Sequence, residues 1–197
     1  MAPPFDYPSG PHVRRHGPHG YSDYSSYRDW LRDEFSFRCV YCLLRESWVP
    51  GSFHLDHFLP VVAHPEFVTD YDNLLYCCVT CNAAKGHVRV PDPTRALVSG
   101  AVSVQTDGLL LASTPESVYL IEHLGLNRPK YCEFRRLWMR IVDACAMNQD
   151  LLRDILGYPD DLPDLAALRP PGGNSRPGGI AGSYLARRAR GELPDTY

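Results

Sequence analysis

Lysine is nearly missing from this chain. It occurs only at Lys85 and Lys130, so arginine carries almost all of the 20 basic charges. With many Ala, Pro and Gly residues, that bias points to a GC-rich bacterial genome rather than to a function. It also makes Lys85, which falls inside the motif described below, hard to assign to chance. Net positive charge is missing too: the formal value of −3 argues against a protein that coats nucleic acid indiscriminately. Local basic patches and a bound divalent cation remain compatible with phosphate contact. No apolar run approaches the ~20 residues of a membrane span. The N-terminal MAPPFDYPSGPHVRRHGPHGY lacks the apolar stretch of a secretory signal. The expectation is a cytoplasmic protein with no membrane contact. At 197 residues it is one domain plus tails, and no internal repeat is apparent.

Seven cysteines are present, and their spacing organises the chain. Cys39-Val-Tyr-Cys42 and Cys78-Val-Thr-Cys81 are two C-x-x-C knuckles. They bracket His54-Leu-Asp56-His57-Phe-Leu-Pro60 and Asp72-Asn73-Leu74, and Asn82-Ala-Ala-Lys85 follows the second knuckle. Four thiolates so arranged match a tetrahedral structural zinc site, and without a signal sequence metal is favoured over disulfides. A redox C-x-x-C is the other reading, and the doubling of the pair argues for metal. Cys77 breaks the x-x spacing and reads as buried; Cys132 and Cys145 fall in helices and read as core.

The surrounding pattern predicts an α+β protein. Residues 1–23 read as a disordered N-terminal tail, in which His12, His16 and His19 are incidental rather than a metal tract. A helix from Ser25 or Ser26 to Phe35 buries Tyr27, Trp30, Leu31 and Phe35, with Arg28, Asp29, Arg32 and Asp33 outward. A strand from Phe53 leading into a turn at Pro60, a loop from His64-Pro65 to Asp72, a strand at Leu74–Tyr76 and a helix from Asn82 that Gly86 ends make a ββα unit. Thr106-Asp107-Gly108 between apolar alternations predicts a hairpin. Thr114 caps a helix with Pro115 at its first position, ending at Gly125. A longer helix from Asn127 places Phe134, Leu137, Trp138, Ile141, Val142 and Cys145 on one face, and a last turn runs from Leu151 to Leu156. The working division is a domain at 24–157, with its core at 36–88 and accessory hairpin and helices at 89–157. Residues 158–197 read as a flexible tail ending in a solvated Arg187, Arg188, Arg190 cluster.

Phosphodiester hydrolysis needs an activated water, a cation on the scissile phosphate and an oriented base. Asp56 suits a hard cation such as Mg²⁺, and the imidazole of His57 suits the base. Strict alternation would put the two on opposite faces, so the strand must end or twist there. His54 shares the face of Asp56 and is a candidate for the metal or for phosphate. Asn73 reads as a loop-ordering residue. Asn82 can offer its carbonyl oxygen to the cation, and Lys85, one turn on, can face phosphate.

These residues together resemble the HNH endonuclease family, the ββα-metal fold in its zinc-knuckle branch, over about residues 36–88. Asp92-Pro93, Asp107-Gly108 and Leu124 to Asn127 are similar to a bacterial subgroup with an HIDHF-type motif. That extends the resemblance to about residue 157. The resemblance implies His57 as general base, Asp56 and Asn82 as ligands of a catalytic Mg²⁺ or other divalent ion, and Asn73 as the middle Asn. The final position is Asn rather than His, a variant within the family. Some relatives resemble nuclease subunits of antiphage or toxin-like systems that work with an ATPase. DNA as substrate and a protein partner follow as expectations. The competing class is a zinc-stapled nucleic-acid- or protein-binding module, which has no need of Asp56, His57 and Asn82 together. A zinc-dependent base deaminase is excluded: it needs His-x-Glu, and His54-Leu55-Asp56 offers no Glu.

Overall fold

The computed structural model describes residues 4–51 and 53–197. In chain order these form β1 (Pro18–His19), α1 (Arg28–Glu34), β2 (His54–His57), β3 (Leu74–Cys77), α2 (Val79–Lys85), α3 (Pro93–Ala96) and the hairpin strands β4 (Val102–Val104) and β5 (Leu110–Ala112). There follow α4 (Pro115–His123), α5 (Pro129–Ala144), α6 (Gln149–Leu156), β6 (Gly173–Asn174), α7 (Gly178–Ala181) and α8 (Tyr184–Ala189). Strands pair two by two and antiparallel: β1 with β6, β2 with β3, β4 with β5. This mixture of helices and small sheets is α+β. Among the described residues no helix is long and apolar enough to cross a membrane.

The β2–β3 pair and α2 form the ββα unit, with His54 opposite Cys77 and His57 opposite Leu74. Both strands are too short to stand alone. They are held by an apolar cluster that includes Tyr27, Trp30 and Leu31 beside Leu74, Leu75 and Tyr76, all buried. The Asp107-Gly108 turn forms as expected. Gly108 has φ +88°, and a Cβ there would stand 2.1 Å from the Cys132 carbonyl oxygen, so only glycine fits. Arg135 of α5 donates to the same glycine's carbonyl at 2.6 Å and to Leu126 O at 2.7 Å. It is therefore buried, while Leu137, expected inside, is 52% exposed. Helix α2 starts at Val79 rather than Asn82, because the second knuckle is itself its first turn.

The expected disorder at both ends is overturned in the described chain. Phe5 and Tyr7 are buried in the main apolar cluster, which runs from Phe5 to Leu165, so packing ignores both expected boundaries. β1 pairs with β6 across more than 150 residues, and Ser175 N donates to Gly17 O at 2.8 Å. Pro/Gly-rich composition reports extended backbone, and long-range polar partners decide whether that backbone is ordered. Those partners sit on α1. Asp33, expected to face solvent, is fully buried; it accepts from His16 Nε2 at 2.9 Å and from Tyr184 N at 2.8 Å. Glu34 accepts from His12 Nε2 (2.8 Å), the Arg15 and His16 amides (2.8 and 3.0 Å) and the Tyr71 hydroxyl (2.9 Å). His12 and His16 thus tie the strap to α1. In the C-terminal segment Arg190 pairs with Glu192 at 2.7 Å, and Arg188 donates to Pro159 O.

Burial by itself would raise the Glu34 carboxyl. The hydrogen bonds from His12 and the Arg15 amide, with the charges of Arg14 and His12, overcome it and hold the group down to about 2. A depressed folded value means stability that is complete above the ordinary 4.5 and lost as pH falls through about 2. Chemical denaturation at stepped pH is expected to show about 3 kcal/mol disappearing over that window. Glu34→Gln should flatten that part of the profile, and an unchanged profile in the variant would remove Glu34 from this role.

Candidate functional site

Two centres lie on the ββα unit. The first is the cysteine cluster. Cys39 and Cys42 sit in a turn stitched to β3 by Val40 N donating to Tyr76 O at 3.0 Å. Cys78 caps α2, its sulfur accepting from the Cys81 amide at 3.4 Å. All four side chains are buried, and their sulfurs lie within 4.8 Å of one another. Tetrahedral zinc with Zn–S near 2.3 Å places its sulfurs about 3.8 Å apart; those of Cys42 and Cys78 are 3.8 Å apart. Thiols this close resist joint ionisation. Hydrogen bonds from Cys39, Cys42 and Cys81 pull the Cys78 thiol down, whereas Cys42 and Cys81 are pushed up, first by hydrogen bonding to Cys39. A dication is what lets all four ionise, so the donor set can hold a metal ion. Cys77, beside the cluster, is buried as expected.

The second centre is a cleft of about 380 Å³ whose walls include Tyr24, Asp56, His57, Asn82, Lys85 and His87. β2 ends at His57, which lets Asp56 and His57 reach one cleft in spite of strand alternation. His57 Nε2 lies 2.9 Å from Val68 O. A carbonyl only accepts, so Nε2 carries the hydrogen, and in the neutral ring Nδ1 is the nitrogen with the lone pair. The Tyr24 ring and the imidazole pack edge to face, 4.8 Å between centroids. Asn73 is hydrogen-bonded to both ends of the loop before it. Its Oδ1 accepts from Leu59 N at 2.8 Å, its Nδ2 donates to Leu59 O and Phe67 O, and its backbone oxygen accepts from Phe58 N. The carbonyl that holds His57 follows directly after Phe67.

Asn82 Nδ2 lies 2.9 Å from His54 Nδ1. An amide N–H can only donate, so His54 Nδ1 accepts, and the Asn82 side-chain oxygen has no hydrogen-bond partner among the described residues. The ring nitrogen of His54, expected at the metal or phosphate, is instead engaged by the Asn82 side chain. Lys85 departs further from expectation. Its side chain is 1% exposed, and Nζ donates to Asp56 Oδ1 at 2.9 Å and to His57 O at 2.7 Å. It faces a carboxylate rather than phosphate, because helix α2 begins early and its last turn lies across β2. Asp56 is 5% exposed. Its second oxygen accepts from the Tyr41 hydroxyl at 2.7 Å. Burial pushes the Asp56 carboxyl up, against the charge and hydrogen bond of Lys85 and the bond from Tyr41.

Sequence reasoning missed Tyr41, Tyr24 and His87. Tyr41 lies between two zinc-type cysteines, where a polar residue is ordinary, and Tyr24 comes from outside the motif. Only the position of His87, two residues after Lys85, gave a hint.

Residues 39–87 match the sequence model of the HNH endonuclease family. Over 49 residues the chain is 39% identical to the Septu protein PtuB of Bacillus thuringiensis. That alignment covers 25% of this chain and 19% of the relative, so the chain spans about a fifth of the length of the curated relative it matches.

Asn73→Ala removes three side-chain hydrogen bonds from the loop beside His57. It is expected to cost about 2 kcal/mol in denaturant unfolding. Hydrogen exchange should rise most across residues 58–70, and a uniform rise over the whole chain would contradict a loop-ordering role.

Proposed function

We propose that this protein is a metal-dependent HNH endonuclease that hydrolyses phosphodiester bonds in DNA. We assign it to a bacterial defence or toxin-like system in which it works with a protein partner such as an ATPase. The observation that carries the enzymatic reading is the meeting of Asp56, His57 and Asn82 on one cleft, with His57 holding a free Nδ1. The setting rests on the resemblance of the motif to nuclease subunits of such systems and on the partial likeness to the Septu protein PtuB. Zinc is assigned to Cys39, Cys42, Cys78 and Cys81, where it staples the unit.

His57 takes the proton of the attacking water on Nδ1. Its ring is kept in the right tautomer by Val68 O and held from one side by Tyr24, so the base needs little reorganisation. Asp56 and the free oxygen of Asn82 are the donors for a hard divalent cation, a pairing of carboxylate and carbonyl that suits Mg²⁺. When bound, that cation supplies charge neutralisation on the scissile phosphate and at the leaving oxygen. His54 keeps the Asn82 oxygen aimed by holding its amide nitrogen. Asn73 sets the loop from which the His57 anchor comes.

The second reading, a zinc-stapled binding module without catalysis, has one observation in its favour. Both oxygens of Asp56 already have partners, Lys85 and Tyr41.

Plasmid cleavage separates the two. Zinc-loaded protein is expected to cut with Mg²⁺ or Mn²⁺ and to stop in EDTA, and His57→Ala should slow cutting at least ~100-fold with an unchanged melt. Cutting by His57→Ala at the wild-type rate would remove the base assignment. Inactivity with every divalent ion would favour the binding module.

Elemental analysis is expected to find about one zinc per chain. Cys81→Ser should lose that metal and, because structural zinc contributes on the order of 10 kcal/mol, its cooperative melt as well. Full folding of Cys81→Ser without metal would refute the zinc staple.

A further inference from the structure

Lys85 has no acidic partner other than Asp56 among the described residues, and its ammonium is almost wholly buried. Nζ bridges the Asp56 carboxylate to the main-chain oxygen of His57, the neighbouring residue. It thereby spans the carboxylate offered to the metal and the backbone of the base. Tyr41 closes the other carboxylate oxygen. From this geometry we infer that Lys85 is the resident counter-cation of the catalytic site: it preforms the Asp56–His57 corner and competes with the divalent ion for Asp56. The inference rests on the nuclease reading above and gives Lys85 a positioning role within it.

A buried carboxylate without a cation is costly, so the corner needs positive charge whether or not a divalent ion is bound. Lys85 supplies it from the last turn of α2, against Gly86 at the helix end. A divalent ion sharing Asp56 then stands a few ångströms from an ammonium, in surroundings where repulsion is stronger than in bulk water. Its binding is therefore weakened by Lys85, while the geometry that receives it depends on the same residue. The exposed, freely moving lysine of a phosphate-steering site has neither property.

Removing the charge should consequently raise metal affinity and lower metal-free stability together. The experiment is Mn²⁺ binding, by electron paramagnetic resonance of free Mn²⁺, to full-length zinc-loaded protein. Melting temperatures are measured on the same samples, and Asp56→Asn serves as the blank. Lys85→Met is expected to bind Mn²⁺ about tenfold or more tighter than wild type, since a like charge has been removed from a poorly solvated site. Its melting temperature should fall without Mn²⁺ and rise with saturating Mn²⁺ by more than wild type does, the ion taking over as counter-charge. Lys85→Arg, which keeps the charge, should stay within about threefold of wild type in affinity. If Lys85→Met is unfolded without Mn²⁺, refolding on its addition supports the inference, and failure to refold at saturation overturns it. Equal or weaker Mn²⁺ binding by folded Lys85→Met overturns it, as does tenfold tighter binding by Lys85→Arg. Mn²⁺ binding by none of the three proteins would instead count against the nuclease reading, which distinguishes the two failures.

Discussion

The four buried sulfurs of Cys39, Cys42, Cys78 and Cys81 form the contact on which the rest of the site depends. They join a turn before β2 to the start of α2, across a stretch whose own secondary structure is two four-residue strands and a seven-residue helix. Elements of that length have little intrinsic stability. Cys78 both belongs to the cluster and caps α2, so clustering the sulfurs also fixes where the helix begins. From that start, Asn82 arrives beside His54, and Lys85, one turn later, lies across Asp56. Moving the cap by one residue would rotate both side chains by about 100° about the helix axis and away from these partners.

Around this staple the chemistry is arranged by hydrogen bonds that leave specific atoms unused. Val68 O occupies one nitrogen of His57 and spares the other; His54 occupies the amide nitrogen of Asn82 and spares its oxygen. Asn73 bonds both ends of the intervening loop, at Leu59 and at Phe67, next to the residue whose carbonyl holds His57. The burial of Asp56 sets a second demand, for local positive charge. Lys85 meets it from within the chain.

Both chain ends contribute to the same structure. Asp33 and Glu34, adjacent and buried on α1, gather His12, the Arg15 and His16 amides and Tyr184 N. Arg176 carries this network to the site segment, bonding Asp72 at 2.7 Å beside Asn73, and Arg14 donates to the Leu74 carbonyl. Tyr24, on the same N-terminal stretch, meets His57. The matched segment at 39–87 is thus enclosed by residues far from it in the sequence.

The sequence alone determined the donor types and their local spacing. Two C-x-x-C knuckles, Asp56 next to His57, the turn glycine at Gly108 and the cap at Thr114 are each legible because the chemistry is local or repeats at a fixed interval. Tertiary structure decided the partners. Lys85 reads as a helix cation that can face phosphate, and only the packing of α2 on β2 turns it toward Asp56. Asp33 reads as a solvated acid, and the Pro/Gly-rich ends read as disorder, since they have partners more than 150 residues away. No window of sequence contains both members of such a pair. The physical reason is that a buried charge or an ordered loop is stabilised by what packs against it, and in this chain that is settled by long-range contacts.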